Sequence, residues 1–148
     1  MDEKDYLSFD LVKAIKKANN QILKQESEIV KNYGLTPLQY GVLECLYIKG
    51  DMCIGQLIER LISTSGTMTV VIRNLEKMGY IERESRVDDR RSSMIVMTES
   101  GKKLVKKILP KRREQVNDFA NTLNTQEQEE LLDLLYKFKK RYKEAKNE

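Results

Sequence analysis

The hydrophobic pattern of this chain keeps a helical period almost throughout and changes once, between Tyr80 and Thr98. There Tyr80-Ile81-Glu82-Arg83 and Met94-Ile95-Val96-Met97 read as two short strands around the charged tip Arg86-Val87-Asp88-Asp89-Arg90-Arg91. One hairpin cannot sustain a core of its own. The chain is therefore predicted to be mainly α with a small β-hairpin wing, its core supplied by helices.

The helical segments carry their own boundaries. Leu7, Leu11, Ile15, Ala18, Ile22 and Ile29 recur at three- and four-residue steps or their multiples, predicting a long amphipathic first helix that ends near Asn32-Tyr33-Gly34. Thr36-Pro37-Leu38-Gln39 then supplies an N-cap Thr, Pro at the first helical position and Gln at the capping-box position. Leu35 and Tyr40 are placed to staple that start. The near-continuous apolarity of Tyr40 to Ile48 marks a central helix, stopped at Gly50. A short helix follows Asp51-Met52-Cys53, from Ile54 to Arg60, then a polar break at Ser63 to Thr67 opens the next, which ends at Met78-Gly79. After the hairpin, Thr98-Glu99-Ser100-Gly101 starts a helix that Pro110 is expected to bend, and Thr125-Gln126-Glu127-Gln128 starts the last one. That last helix carries Leu131, Leu134, Leu135 and Phe138 on one face.

Two helices joined by a tight polar turn and followed by a hairpin with arginines at its tip have the order of a winged helix-turn-helix. On the helix beginning near Thr64, the arc Met68, Val71, Ile72, Leu75 and Met78 is expected to face the core, leaving Gly66, Thr69, Val70, Arg73 and Lys77 outside. A glycine, small hydroxyls and β-branched side chains allow close approach to a major groove, where hydroxyls bond either base type and methyls touch thymine. The first turn, with Thr64, Ser65 and Thr67, can aim backbone amides at a phosphate. The competing reading of Ser63-Thr64-Ser65 is a helix cap and nothing more. Arg86, Arg90 and Arg91 shift the balance, because no folding argument requires so cationic a loop and a loop arginine can enter a minor groove. Asp89 can hold Arg91 by a charge-assisted bond.

Charge agrees with this location. The 148 residues carry a net +4, but residues 60–113 hold 14 basic and 6 acidic side chains, +8, against −2 on each arm. A cationic centre between acidic arms fits a polyanion-binding module whose flanks pair subunits. The chain has no His, which removes His-based nucleophile pairs, HExxH metal sites and an imidazole acid or base near neutrality. No paired catalytic carboxylates and no Gly-rich phosphate loop stand out, so no enzyme, cofactor or metal site is expected. The start MDEKDYLSFD lacks the basic and apolar run of a signal peptide, no apolar stretch is long enough to span a bilayer, and the two cysteines are too few for a disulfide scaffold. A cytoplasmic home is the expectation.

In Leu35-Thr36-Pro37-Leu38-Gln39-Tyr40, Ser65-Gly66-Thr67-Met68-Thr69, Leu75 to Ile81, Asp89-Arg90-Arg91 and Val96 to Gly101, the chain resembles the MarR family of bacterial transcriptional regulators over essentially its whole length. The resemblance implies one domain over residues 1–148, with a winged-helix DNA-binding lobe at 36–98 and a helical dimerisation region at 1–34 and 99–148. It further implies a homodimer held by Leu7, Leu11, Leu131, Leu134, Leu135 and Phe138. Paired lobes would straddle a pseudo-palindromic double-stranded operator, with Ser65, Thr67 and Thr69 reading bases and Arg91 in the minor groove. A ligand or thiol modification would lower DNA affinity. Ser65-Gly66-Thr67 and Leu43 to Tyr47 look most like the branch answering to phenols, quinones or oxidants. Asp5 to Leu11, where peroxide-sensing members carry a reactive cysteine, has none.

Two switches stay open from the residues themselves. Tyr33, Tyr40 and Tyr47 offer an apolar wall with hydroxyl handles for a small aromatic effector, or are simply core. Cys45 sits in the most apolar helix, where burial suppresses the thiolate, and Cys53 is expected to be more exposed but beside Asp51. The rival function from another class is a winged-helix adaptor that docks an acidic protein and reads no DNA.

Overall fold

The computed structural model describes residues 1–85 and 93–146, with side chains through Lys139. Helix α1 spans Glu3–Val30 and passes through a 3-10 turn, Lys31–Tyr33, into α2 at Pro37–Lys49. Strand β1 (Met52–Cys53), α3 (Ile54–Leu61) and α4 (Ser65–Lys77) follow, then β2 (Ile81–Ser85), β3 (Ser93–Met97), α5 (Glu99–Ala120) and α6 (Thr125–Lys146). The chain forms two compact units, Met1–Arg112 and Arg113–Glu148. The first contains the helix-turn-helix and the two described wing strands together with α1 and α5 as far as Arg112. Pro110 lies within α5 and does not end it.

The first unit is organised around α2. Thr36 Oγ1 accepts the Gln39 amide at 3.2 Å while Gln39 Oε1 accepts the Thr36 amide at 2.9 Å, and Leu35 and Tyr40 are both buried at the staple positions. Val42, Leu43 and Leu46 continue into the core, where Leu57, Met68 and Ile72 of the helix-turn-helix meet them. On α4 the expected arc is buried at Met68, Val71, Ile72 and Leu75, but Met78 is exposed. Met78 keeps right-handed helical dihedrals as the C-cap, with its amide bonded to the Asn74 carbonyl at 3.0 Å, so it stays on the arc but stands past the last buried position, just before Gly79 turns the chain at φ +79°.

The wing's strands are longer than the sequence pattern suggested. They pair antiparallel with Ile81 opposite Met97, Arg83 opposite Ile95 and Ser85 opposite Ser93. A third strand was not foreseen: β1 pairs with β3, Met52 opposite Ile95, giving the order β1-β3-β2. Two residues are too few to show a period, so only the tertiary partner makes them a strand. The wing tip with Arg86, Asp89, Arg90 and Arg91 lies outside the described residues.

Where α4, the wing and α5 meet, the backbone is locked. The Thr98 amide donates to the Tyr80 carbonyl at 3.1 Å, Thr98 Oγ1 donates to the Gly79 carbonyl at 2.7 Å, and the same oxygen accepts the Gly101 amide at 3.1 Å. One threonine thus ties the end of α4 to the start of α5. A Cβ on Gly101 would stand 2.2 Å from the Tyr80 carbonyl oxygen, and that carbonyl cannot move without releasing Thr98. Gly101→Ala is therefore expected to destabilise the fold by roughly 3 kcal/mol, read as a lower midpoint in thermal or urea denaturation. Parent-like stability would show that this contact is not tight.

Candidate nucleic-acid interface

Thr64 caps α4 with its side chain. Its Oγ1 accepts the Thr67 amide at 3.2 Å and donates to Thr67 Oγ1 at 2.9 Å, so its hydroxyl is occupied within the cap. Thr69 Oγ1 donates to the Ser65 carbonyl at 2.8 Å, which leaves its lone pairs and methyl outward. The result is a graded first turn: Thr64 builds the helix start, Thr67 keeps a hydroxyl proton to donate, and Thr69 presents an acceptor and a methyl. Ser65, Gly66, Thr67, Val70 and Arg73 are exposed, and Thr69 is half-buried.

Gly66 is informative because nothing stands within 4 Å of a Cβ built on it and its φ is ordinary. Glycine in a helix weakens it relative to alanine, and no contact inside the protein asks for glycine here. The open space over the first turn of α4 is thus available to an outside backbone. Behind this face, Arg83 of β2 and Glu76 of α4 are joined by a 2.6 Å ion pair that fixes the wing's base to the recognition helix.

The tyrosine and cysteine positions resolve into different environments. Tyr40 is fully buried, and Tyr33, Cys45 and Tyr47 pack partly buried against the same core. The Tyr33 ring lies 5.8 Å below the Lys107 ammonium of α5. The Cys45 thiol stands 3.8 Å from Met52 Sδ, and burial pushes its pKa up, with Arg60 opposing and Glu44 reinforcing. Cys53, like Cys45, is half-buried. It serves as the N-cap of α3, its sulfur accepting the Gln56 amide while Gln56 Oε1 accepts the Cys53 amide at 3.0 Å.

A charged cluster that the sequence reading missed joins α1, α2 and α5. Arg112 Nη2 and Glu26 Oε1 pair at 3.3 Å with both side chains nearly buried, and the Tyr40 hydroxyl donates to Glu44 Oε1 at 3.3 Å beside them. Burial pushes the Glu26 carboxyl above its ordinary value against the pull of Arg112, and Glu44 adds to the rise. The Tyr40 hydroxyl is raised too, first by burial and then by Glu44. The signal existed: Glu26 falls four residues after Ile22 and four before Val30, on α1's own apolar stripe. A carboxylate there demands a buried partner. The cluster sets one cation among two carboxylates and a phenol, a polar site inside an apolar wall.

No group of three or more His, Cys, Asp or Glu residues suited to a metal occurs among the described residues, and no helix among them is long and apolar enough to cross a membrane. Apolar side chains stand exposed on two helices. On α1 they include Leu7 at 70% and Leu11 at 50%, and on α6 Leu131, Leu134, Leu135 and Phe138 are all at 39% or more.

Comparison with known proteins gives a consistent set. The MarR family model matches residues 35–93. The HTH-type transcriptional regulator YkoM of Bacillus subtilis (strain 168), itself uncharacterized, is 30% identical over 130 residues, 88% of this chain and 84% of the relative. Among solved structures, NadR in complex with 4-hydroxyphenylacetate superposes with a TM-score of 0.76 at 22% identity, covering 84% of this chain and 89% of that one. Reduced AbfR bound to DNA gives 0.75 at 21% identity, covering 95% and 96%.

The raised Glu26 carboxyl has a definite sign in stability. A folded-state pKa above the unfolded one means the folded protein holds this proton more tightly, so its contribution is present below the ordinary 4.5 and is lost as pH rises through the raised value. Glu26→Gln, neutral throughout, is expected to lose less stability than the parent as pH rises from the ordinary 4.5 through the raised value. Urea unfolding across that range measures it, and identical pH slopes for the two proteins would remove Glu26 as the source.

Proposed function

The chain belongs to the MarR family of helix-turn-helix transcriptional regulators, and from that premise we propose that it is a homodimeric repressor released from its operator by a small phenolic or aromatic ligand. The observation that carries this reading is the outward face of α4, where Ser65, Thr67, Thr69, Val70 and Arg73 flank a glycine with open space above it. In this reading the first turn of α4 enters the major groove, Thr64 shapes that turn, and the wing's Arg86, Arg90 and Arg91, with Asp89 orienting them, reach the adjacent minor groove. The exposed apolar faces of α1 and α6, including Leu7, Leu11, Leu131, Leu134, Leu135 and Phe138, are the surfaces a second copy covers. Two half-sites then lie about one helical turn, roughly 10 bp, apart.

The ligand reading rests on the α1, α2 and α5 cluster. Arg112 supplies a cation for a phenolate or carboxylate, Tyr40 and Glu44 supply polar handles, and Tyr33 and Tyr47 supply wall. The NadR complex with 4-hydroxyphenylacetate, which carries both a phenol and a carboxylate, supports that ligand chemistry. Thiol modification is the weaker switch, because Cys45 is half-buried with its pKa pushed up and the Cys53 sulfur already accepts a helix amide. A coupling of about 1 to 3 kcal/mol between ligand and DNA sites is enough for release.

The test is retardation of the chain's own upstream DNA. Gly66→Ala is expected to leave the fold as stable or more so, by up to about 1 kcal/mol, while weakening operator binding about ten-fold, a loss of roughly 1.4 kcal/mol. Parent binding should fall steeply with salt, since several Lys and Arg side chains displace counterions. Failure to retard any upstream fragment, or binding that ignores salt, would favour an adaptor that docks protein. For the dimer, Leu135→Asp is expected to shift the chain toward monomer in sedimentation without unfolding it; a dimer that survives it would relocate the subunit contact.

A further inference from the structure

The turn between α3 and α4 contains a local conflict that the fold does not explain. Ile62 takes φ +48° and ψ +57°, the left-handed region, which a β-branched residue almost never occupies. At the three other positions of positive φ among the described residues the chain places glycine: Gly34, Gly50 and Gly79. At Ile62 it places the residue type least suited to the conformation. The turn itself needs no side chain here, because it is closed by the backbone bond from the Ser63 amide to the Ile58 carbonyl at 3.1 Å, which glycine would make equally well.

Nor is the side chain spent on the core. Ile62 is 87% exposed, more than any other large hydrophobic side chain among the described residues. An isolated exposed isoleucine is ordinary on a protein surface. An isolated exposed isoleucine that also strains its own backbone is not, because glycine or asparagine at the same place would be better for the fold and for solubility.

The position names the partner. Ile62 lies two residues before Thr64, the cap of α4, so it borders the first turn on which the DNA reading rests, with Arg60 exposed beside it. We infer that Ile62 is a further operator-contacting residue, whose apolar side chain packs on the deoxyribose and thymine-methyl surface flanking the base-reading turn of α4. The inference rests on the proposed DNA-binding function. Its contribution is apolar, so it adds affinity without displacing a counterion.

The experiment uses the full chain, a duplex from its own upstream region that the parent retards, and three variants. Ile62→Gly and Ile62→Asn are expected to melt no lower than the parent, because both residues tolerate positive φ. Both should bind the duplex about ten-fold more weakly, with the slope of log K against log salt unchanged. Ile62→Val, which keeps the branched apolar group, should stay within about two-fold of the parent. Parent-like affinity in the Gly and Asn variants would overturn this inference and leave the DNA reading intact. A parent that retards no upstream duplex would overturn both. Loss of affinity accompanied by dissociation to monomers in sedimentation would assign Ile62 to a contact between subunits and overturn it as well.

Discussion

The approach of α5 to the Tyr80 carbonyl sets where everything functional in this molecule can stand. The carbonyl accepts the Thr98 amide, and the helix that Thr98 caps comes so close that only glycine fits at position 101. The return strand of the wing must therefore end at the same point where α4 ends. Arg83 and Glu76 repeat the tie three residues beyond Tyr80. The wing is thereby held to the recognition helix by backbone geometry rather than by apolar packing alone, which suits an element whose outward residues, Glu82 to Ser85, are all exposed and add little to a core.

Two departures from good local design border the first turn of α4. Gly66 occupies a helix position where alanine would fit, and Ile62 occupies a turn position where glycine would fit. The two exchanges run in opposite directions, and each leaves the free protein less stable than its simple alternative. Sequences are otherwise consistent across levels here: α2 has its cap, box and staple, and α4 has its apolar arc. Residues that break a local rule beside an exposed helix start are the expected mark of a surface shaped for something outside the chain.

What could be read from the sequence was what local spacing encodes. The capping box at Thr36 and Gln39, the buried arc of α4 and the order of helix, turn, helix and hairpin all depend on residues a few positions apart, so periodicity and cap chemistry disclosed them. Three features escaped. Strand β1 is two residues long and exists only through its pairing with β3. Met78 stays on its arc as the helix cap yet is exposed, because the arc runs one position beyond the core, which spacing along α4 does not show. The ion pair between Glu26 and Arg112 joins residues from opposite ends of the first unit, and only the misfit of a carboxylate on an apolar stripe hinted that a partner existed. The apolar faces of α1 and α6 were legible as stripes, but a stripe alone does not say whether it faces its own core or a second chain; their exposure is what separates them from α2.

The placement of those features suggests how a signal travels. Helix α5 carries Gly101 at the wing lock and Arg112 at the charged cluster, eleven residues apart, which is about 16 Å of continuous helix at 1.5 Å per residue. Both ends are constrained differently. At Gly101 the fit is steric and admits almost no movement relative to Tyr80. At Arg112 the restraint is electrostatic, one guanidinium shared in the field of two carboxylates, and a bound anion would compete for it. In the proposed reading, a ligand that draws Arg112 from Glu26 acts on the same helix that Gly101 fits against Tyr80 and that Thr98 ties to Gly79, with Val105 and Ile108 packed into the core between the two ends. In that reading, coupling between the charged cluster and the DNA-facing surface runs along α5, because the helix that carries Arg112 also carries the Gly101 contact to the wing.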